Sequence, residues 1–200
     1  MNKKQAAYER LRNRCGEFLD KLYRGERMMV FGEGNLSARV MLVGEAPGER
    51  ETIQRRPFVG QAGKHLDALL QTLHLSRGEV YFTYVVKFRP TKTNERTGRL
   101  NNRPPTREEV LLCRPYLYDE IALVAPRLIV ALGNAALRAV SGEEKAMIGQ
   151  WHGRNVELGD GRTLYAMYHP ASLVYNPGLR EPYERDARAL AALVHGEPMA

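Results

Sequence analysis

Apolar positions recur along this chain with two different spacings. Across residues 5–24, Leu11, Phe18, Leu19 and Leu22 stand among charges at roughly helical intervals, which predicts an amphipathic N-terminal helix. Arg39-Val40-Met41-Leu42-Val43-Gly44 is instead a short continuous apolar run, the pattern of a strand covered on both faces. A helical period returns between Gly63 and Leu75 through Leu66, Leu69, Leu70 and Leu73. The β-branched and aromatic run Val80 to Val86 predicts a second strand. Residues 87–107 carry Pro90, Gly98, Pro104 and Pro105 and read as a loop. Thr106-Arg107-Glu108-Glu109 has the form of a capping box, opening a helix that runs to about Val124. A third buried strand, Leu128 to Gly133, leads into a helical segment from Asn134 to Val140. Residues 141–163 read as a loop plus a hairpin, Leu164 to Tyr168 as a fourth strand, and Tyr183 to Val194 as a closing helix.

Strands alternating with helices in this way build a parallel sheet with helices on both faces. Ligands of such sheets bind beyond the carboxyl ends of the strands. Three strand ends carry unusual residues there: Gly44-Glu45-Ala46-Pro47-Gly48, Val86-Lys87-Phe88-Arg89-Pro90, and His169-Pro170. These segments are expected to converge on one cleft.

Composition narrows the function classes. With 200 residues, the chain suits one domain, placed here at 1–200 with a core over about 30–195. Net charge is +7, which favours polyanionic partners. No apolar stretch is long enough for a transmembrane helix. The polar N-terminus, Met1-Asn2-Lys3-Lys4-Gln5, does not read as a secretory signal. Two cysteines, Cys15 and Cys113, provide no disulfide framework, so a cytoplasmic location is expected, and size and charge lead to the expectation of a monomer. No histidine or cysteine pair has metal-site spacing, and neither a Gly-x-x-x-x-Gly-Lys-Ser/Thr loop nor a Gly-x-Gly-x-x-Gly turn occurs. Triphosphate hydrolysis and dinucleotide redox chemistry are therefore disfavoured.

The candidate chemistry lies at the strand ends. Glu45 and Glu51 flank a Pro-Gly turn, where a carboxylate could position water; two solvated glutamates on an ordinary turn are the plainer alternative. Phe58, between proline and glycine, could stack on a base or simply fill the core. His169 could donate to a leaving group or serve only as a structural histidine. Leu173 could wedge a duplex or open a helix. The 87–107 loop sets Lys87, Arg89, Lys92, Arg96, Arg99, Arg103 and Arg107 against the single acid Glu95, as a phosphate-contacting arm or a solvated loop.

Taken together, these pieces resemble the uracil-DNA glycosylase superfamily, nearest its family 4 branch. The motifs run in family order: Gly32-Glu33-Gly34-Asn35, Gly44-Glu45-Ala46-Pro47-Gly48 with Glu51, and Arg56-Pro57-Phe58-Val59-Gly60 with Ala62-Gly63. Then come Val85-Val86-Lys87 with Arg89-Pro90, Leu128 to Gly133, and His169-Pro170-Ala171 with Leu173 and Asn176-Pro177. The resemblance implies a three-layer α/β/α fold with a central four-stranded parallel sheet. It also implies hydrolysis of the bond joining deoxyribose to a uracil flipped out of DNA, without strand cleavage. On this likeness Glu45 orients water, Glu51 supports the turn or the water, and His169 stabilises the departing base. Gly44, Ala46, Pro47, Gly48, Phe58 and Tyr84 contact the base, while Lys87, Arg89, Arg103, Leu173 and Asn176 contact DNA.

Two departures qualify the resemblance. Family 4 proteins carry four cysteines on an iron–sulfur cluster, whereas here only Cys113 matches and Phe88 stands at another ligand position, so no cofactor is expected. Tyr84 occupies a place where many relatives carry an asparagine whose amide pairs with uracil. That leaves the preferred base open among uracil, hypoxanthine and xanthine. It also keeps a catalytically silent nucleic-acid-binding protein as the main alternative. A hydrolase of free nucleosides is disfavoured by the long cationic arm.

Overall fold

A computed structural model describes residues 3–196; Met1, Asn2 and residues 197–200, and with them the two ends of the expected 1–200 unit, lie outside the described residues. The chain begins with helix α1 (Lys3–Tyr23), then strands β1 (Glu33–Gly34) and β2 (Val40–Gly44). Helices α2 (Glu49–Gln54) and α3 (Gln61–Thr72) lead to β3 (Val80–Tyr84) and a small hairpin, β4 (Thr91–Thr93) with β5 (Leu100–Asn102). Next come α4 (Arg107–Val124), β6 (Leu128–Leu132), α5 (Asn134–Ser141) and α6 (Ile148–Trp151). The chain closes with β7 (Asn155–Glu157), β8 (Thr163–Met167), α7 (Ser172–Tyr175) and α8 (Arg180–His195).

The main sheet has the order β1-β3-β2-β6-β8-β7. Its centre, β3-β2-β6-β8, is parallel, as the apolar runs predict. Successive residues point to opposite faces and so feed two cores. Met41, Val43, Ile129, Ala131, Leu164 and Ala166 pack with Leu11, Leu19, Leu117 and Ile121 of α1 and α4. Val40, Leu42, Val130, Tyr165 and Met167 pack with Leu66, Leu69 and Leu70 of α3 and Leu190 of α8. Hydrophobic residues fill both faces because neither face meets water.

The sheet has six strands among the described residues, not the four expected. β1 and β7 add antiparallel edges. They are two and three residues long and include exposed positions, so no apolar run announced them. The second strand ends at Tyr84, not Val86. Beyond it, the Val85 and Val86 N–H groups donate to the carbonyls of Gly44 and Glu45 at 2.9 and 3.0 Å, which keeps the two strand ends together. The 87–107 stretch is not all loop, since β4 and β5 pair within it. The capping box forms as expected: Thr106 Oγ1 accepts from Glu109 N at 3.2 Å, and the Glu109 carboxylate accepts from Thr106 N at 2.8 Å. No described helix is long and apolar enough to cross a membrane.

Candidate active site

The carboxyl ends of β2, β3 and β8 open into a cleft of about 520 Å³. Its walls include Ala46, Gly48, Glu51, Phe58, Tyr84 and His169, so the turn after β2 and the segment after β8 meet there, whereas no residue of the expected Val86 to Pro90 segment lines it and Glu45 does not. Gly44 lies beneath them. A Cβ there would stand 2.8 Å from Phe58 Cζ and 2.9 Å from Tyr84 Cδ1, so only glycine lets the two rings close over the strand end. Pro47 is buried in the same turn.

Glu51 ties the cleft's two loops together. One carboxylate oxygen accepts from Gly60 N at 2.6 Å and the other from Gly48 N at 3.2 Å. A Cβ at Gly60 would meet Oε1 at 2.8 Å, which explains a glycine at this close approach. Both oxygens of Glu51 are thus committed to backbone donors, and its part is to hold the turn.

Glu45 is placed differently. It lines a second cleft, of about 390 Å³, with Arg107, Arg114 and Arg138, while its neighbour Ala46 lines the first. Its side chain has no hydrogen-bond partner among the described residues, and burial raises its pKa above the ordinary carboxylate value. Such a carboxylate keeps its lone pairs free for water.

His169 follows β8 directly. The Ala171 N–H donates to its Nδ1 at 3.2 Å, which assigns the remaining proton of a neutral ring to Nε2. Burial pushes its pKa down to about 4, with Glu51 acting weakly in the other direction. At neutral pH the ring is therefore an uncharged N–H donor.

Phe58 and Tyr84 form a pair. Their ring centroids lie 4.6 Å apart at 30°, and the Phe58 N–H donates to Tyr84 Oη at 2.9 Å. Phe58 is 1% exposed and holds φ 52°, a left-handed conformation that this contact helps to fix. Burial first, then the negative Glu51, raise the Tyr84 pKa, so the phenol keeps its proton. No group among the described residues accepts that proton.

The cationic arm needs correction. Lys87 does not face solvent: its ammonium is fully buried and paired with Glu120 of α4. Its sequence neighbours Val85, Val86 and Phe88 are core residues, so the side chain is drawn inward with them. Arg103 is committed to Glu109 through two bonds of 2.6 and 2.7 Å. Arg89 is folded against Asn102 and Glu49 at 2.6 and 3.2 Å. Lys92, Arg96 and Arg99, on the exposed hairpin, make no side-chain hydrogen bond among the described residues. Asn176 turns its Oδ1 to Gly178 N at 3.2 Å and caps a 3₁₀ turn. Leu173 is half-buried in a separate cleft between α3 and α8.

The sequence reading missed Asn102, Gln61, Val174 and Tyr175, all of which line the larger cleft. Asn102 arrives through the unpredicted hairpin. Tyr175 had a signal, an aromatic six positions after His169 and just before Asn176-Pro177-Gly178.

The residues present do not fit the four-thiolate cluster that the resemblance implies. The chain has two cysteines, both buried. Burial raises the pKa of both, that of Cys15 to about 12, and keeps them as thiols. At Phe88, a position where the resemblance implies a ligand cysteine, the ring is fully buried beside Tyr23, with centroids 4.9 Å apart. Among the described residues, no group of three or more His, Cys, Asp or Glu could hold a metal ion.

Residues 31–193 match the family model described as "Uracil DNA glycosylase superfamily". A type-4 uracil-DNA glycosylase of Saccharolobus solfataricus is 37% identical over 187 residues, covering 90% of this chain and 82% of the relative. One from Pyrobaculum aerophilum is 39% identical over 171 residues, covering 82% and 83%. A type-5 uracil-DNA glycosylase of the same organism is 36% identical over 160 residues, covering 72% and 66%.

Proposed function

This chain belongs to the uracil DNA glycosylase superfamily, and from that premise we propose that it hydrolyses the N-glycosidic bond of a deaminated base, uracil first, in DNA. The observation that carries this reading is the fixed neutral tautomer of His169, whose Nε2–H is left to meet a base leaving with negative charge.

In this reading the base occupies the larger cleft and the sugar lies over the turn from Glu45 to Gly48. Glu45 holds the attacking water from the second cleft. The water oxygen bonds to C1′ as the bond from C1′ to the base breaks. The electron pair leaves with the base, and the water's proton passes to Glu45. His169 donates to a carbonyl of the departing anion. Tyr84 O–H and His169 Nε2–H are both donors, and deamination turns an amino group into a carbonyl acceptor. A site offering two donors therefore favours uracil, hypoxanthine or xanthine over cytosine or adenine. The exposed hairpin cations Lys92, Arg96 and Arg99, with Arg107, Arg114 and Arg138 around Glu45, supply phosphate contacts.

The experiment is a base-release panel on oligonucleotides carrying uracil, hypoxanthine or xanthine, read on a gel after alkali. Release from at least one of them is expected. The enclosed Phe58–Tyr84 pair favours a second reading, a binding protein without turnover, since a base can stack on Phe58 only where Tyr84 does not already cover it. Binding of a uracil duplex without release of any base would establish that alternative.

Glu45→Gln separates stability from activity. Removing a half-buried, unpartnered carboxylate is expected to raise the thermal midpoint slightly at neutral pH and to lower base release by roughly ten- to a thousand-fold. Unchanged release by this variant would remove Glu45 from the mechanism.

A further inference from the structure

We propose that Tyr175 is the side chain that enters the DNA stack when a nucleotide is everted into the cleft. This rests on the preceding reading and adds a residue to it. Tyr175 is 87% exposed, the most exposed large hydrophobic side chain among the described residues, and it lines the mouth of the cleft that holds His169. Val174 beside it is 49% exposed and lines the same mouth. The Tyr175 side chain makes no hydrogen bond and no ring contact among the described residues, so it leaves no such partner when it moves into a duplex.

Its position is nevertheless fixed relative to the catalytic imidazole. The Ser172 N–H and Oγ both donate to the His169 carbonyl, at 2.8 and 2.6 Å. The Asn176 N–H then closes the turn on the Ser172 carbonyl at 2.9 Å. The segment through α7 is thus a hydrogen-bonded bracket with the imidazole at one end and an exposed aromatic ring at the other.

Leu173, the residue that the resemblance suggests as a wedge, is less suited to that work here. It sits half-buried against the core that contains Leu69, Tyr183 and Ala187, and insertion would require it to leave those contacts. An aromatic ring also matches the flat face of the missing base better than a branched alkyl group and stacks on any neighbour. Leu173 anchors the bracket, and Tyr175 projects from it.

The test compares the full-length chain with Tyr175→Ala, Tyr175→Phe and Leu173→Ala on one uracil sequence presented single- and double-stranded. Tyr175→Ala is expected to lower the double- to single-strand ratio of base release roughly 5- to 150-fold. Tyr175→Phe keeps the ratio, because the ring and not the hydroxyl does the stacking. Leu173→Ala lowers release from both substrates alike and leaves the ratio unmoved. A ratio unchanged in Tyr175→Ala, or one that falls only in Leu173→Ala, overturns the inference. A second readout needs no catalysis: a duplex with a tetrahydrofuran abasic analogue and 2-aminopurine beside the gap. Wild-type binding is expected to quench the fluorophore, and Tyr175→Ala to lose most of that quench. If the chain binds and quenches but releases no base, the glycosylase reading fails while the stacking assignment stands. If it does not bind the gapped duplex, the stacking assignment falls as well.

Discussion

Glu120→Ala is expected to lower the unfolding free energy by about 3–5 kcal/mol, and Lys87→Ala by a similar amount. The two side chains are fully buried and paired with each other. Glu120 also accepts from Tyr81 Oη at 2.9 Å, Thr83 Oγ1 at 2.8 Å and Gly32 N at 3.0 Å. Lys87 Nζ also reaches Thr83 Oγ1 at 2.7 Å and the Tyr84 carbonyl at 2.6 Å. Every charged atom has a partner, so removing one residue strands a charge away from water. The double variant Lys87→Met, Glu120→Leu is expected to regain most of the loss, because no charge then remains in the core. Urea unfolding checks both statements through the midpoint at constant slope. Single variants costing less than about 1 kcal/mol would mean that water reaches the pair. The network also grips the end of β3, where the Tyr84 side chain enters the cleft, so the single variants are expected to disturb the site as well.

His169→Ala is expected to reduce the turnover of base release by about 10²- to 10³-fold, the effect of deleting one donor that faces developing negative charge. The pH profile distinguishes a neutral donor from a charged one. With the His169 pKa pushed down to about 4, the wild-type rate has no inflection near the ordinary histidine value of 6.5 that belongs to this residue. On the acid side, activity falls as Glu45 takes up a proton, which burial moves to a higher pH than for an exposed glutamate. An inflection near 6.5 that vanishes in His169→Ala would show an imidazolium instead. Stability follows from the same depressed value. Between pH 6.5 and about 4 the unfolded chain binds a proton at His169 that the folded chain refuses. The residue's contribution is therefore complete above about 6.5 and drains away as the medium is acidified through that interval.

The legible parts of the fold were those where one physical demand dominates. β2, β3, β6 and β8 are buried on both faces, so their residues had to be apolar and could be read as continuous runs. The edges β1 and β7 are held by backbone pairing at exposed positions, which leaves little trace in side-chain type. Lys87 was misread because its partner, Glu120, lies 33 positions away on another element, and only the folded chain brings the two together. Arg103 was read as one member of a basic cluster, while its partner Glu109 belongs to the helix that begins after the cluster. The strand-end residues around His169 were found because topology sends strand ends to one place. The division of the site into two clefts, with Glu45 in the second, depends on how the turn at Ala46 is directed, and residue types do not record that.

The bond from one carboxylate to two glycine amides has a consequence for anyone who wishes to retune this pocket. The segments before and after α2 are fastened to each other through Glu51, so their spacing cannot be adjusted from one side alone. A library that randomises only the stretch ahead of α2, or only the one behind it, would mostly recover detached walls. Productive reshaping has to vary Gly48, Glu51 and Gly60 as a set.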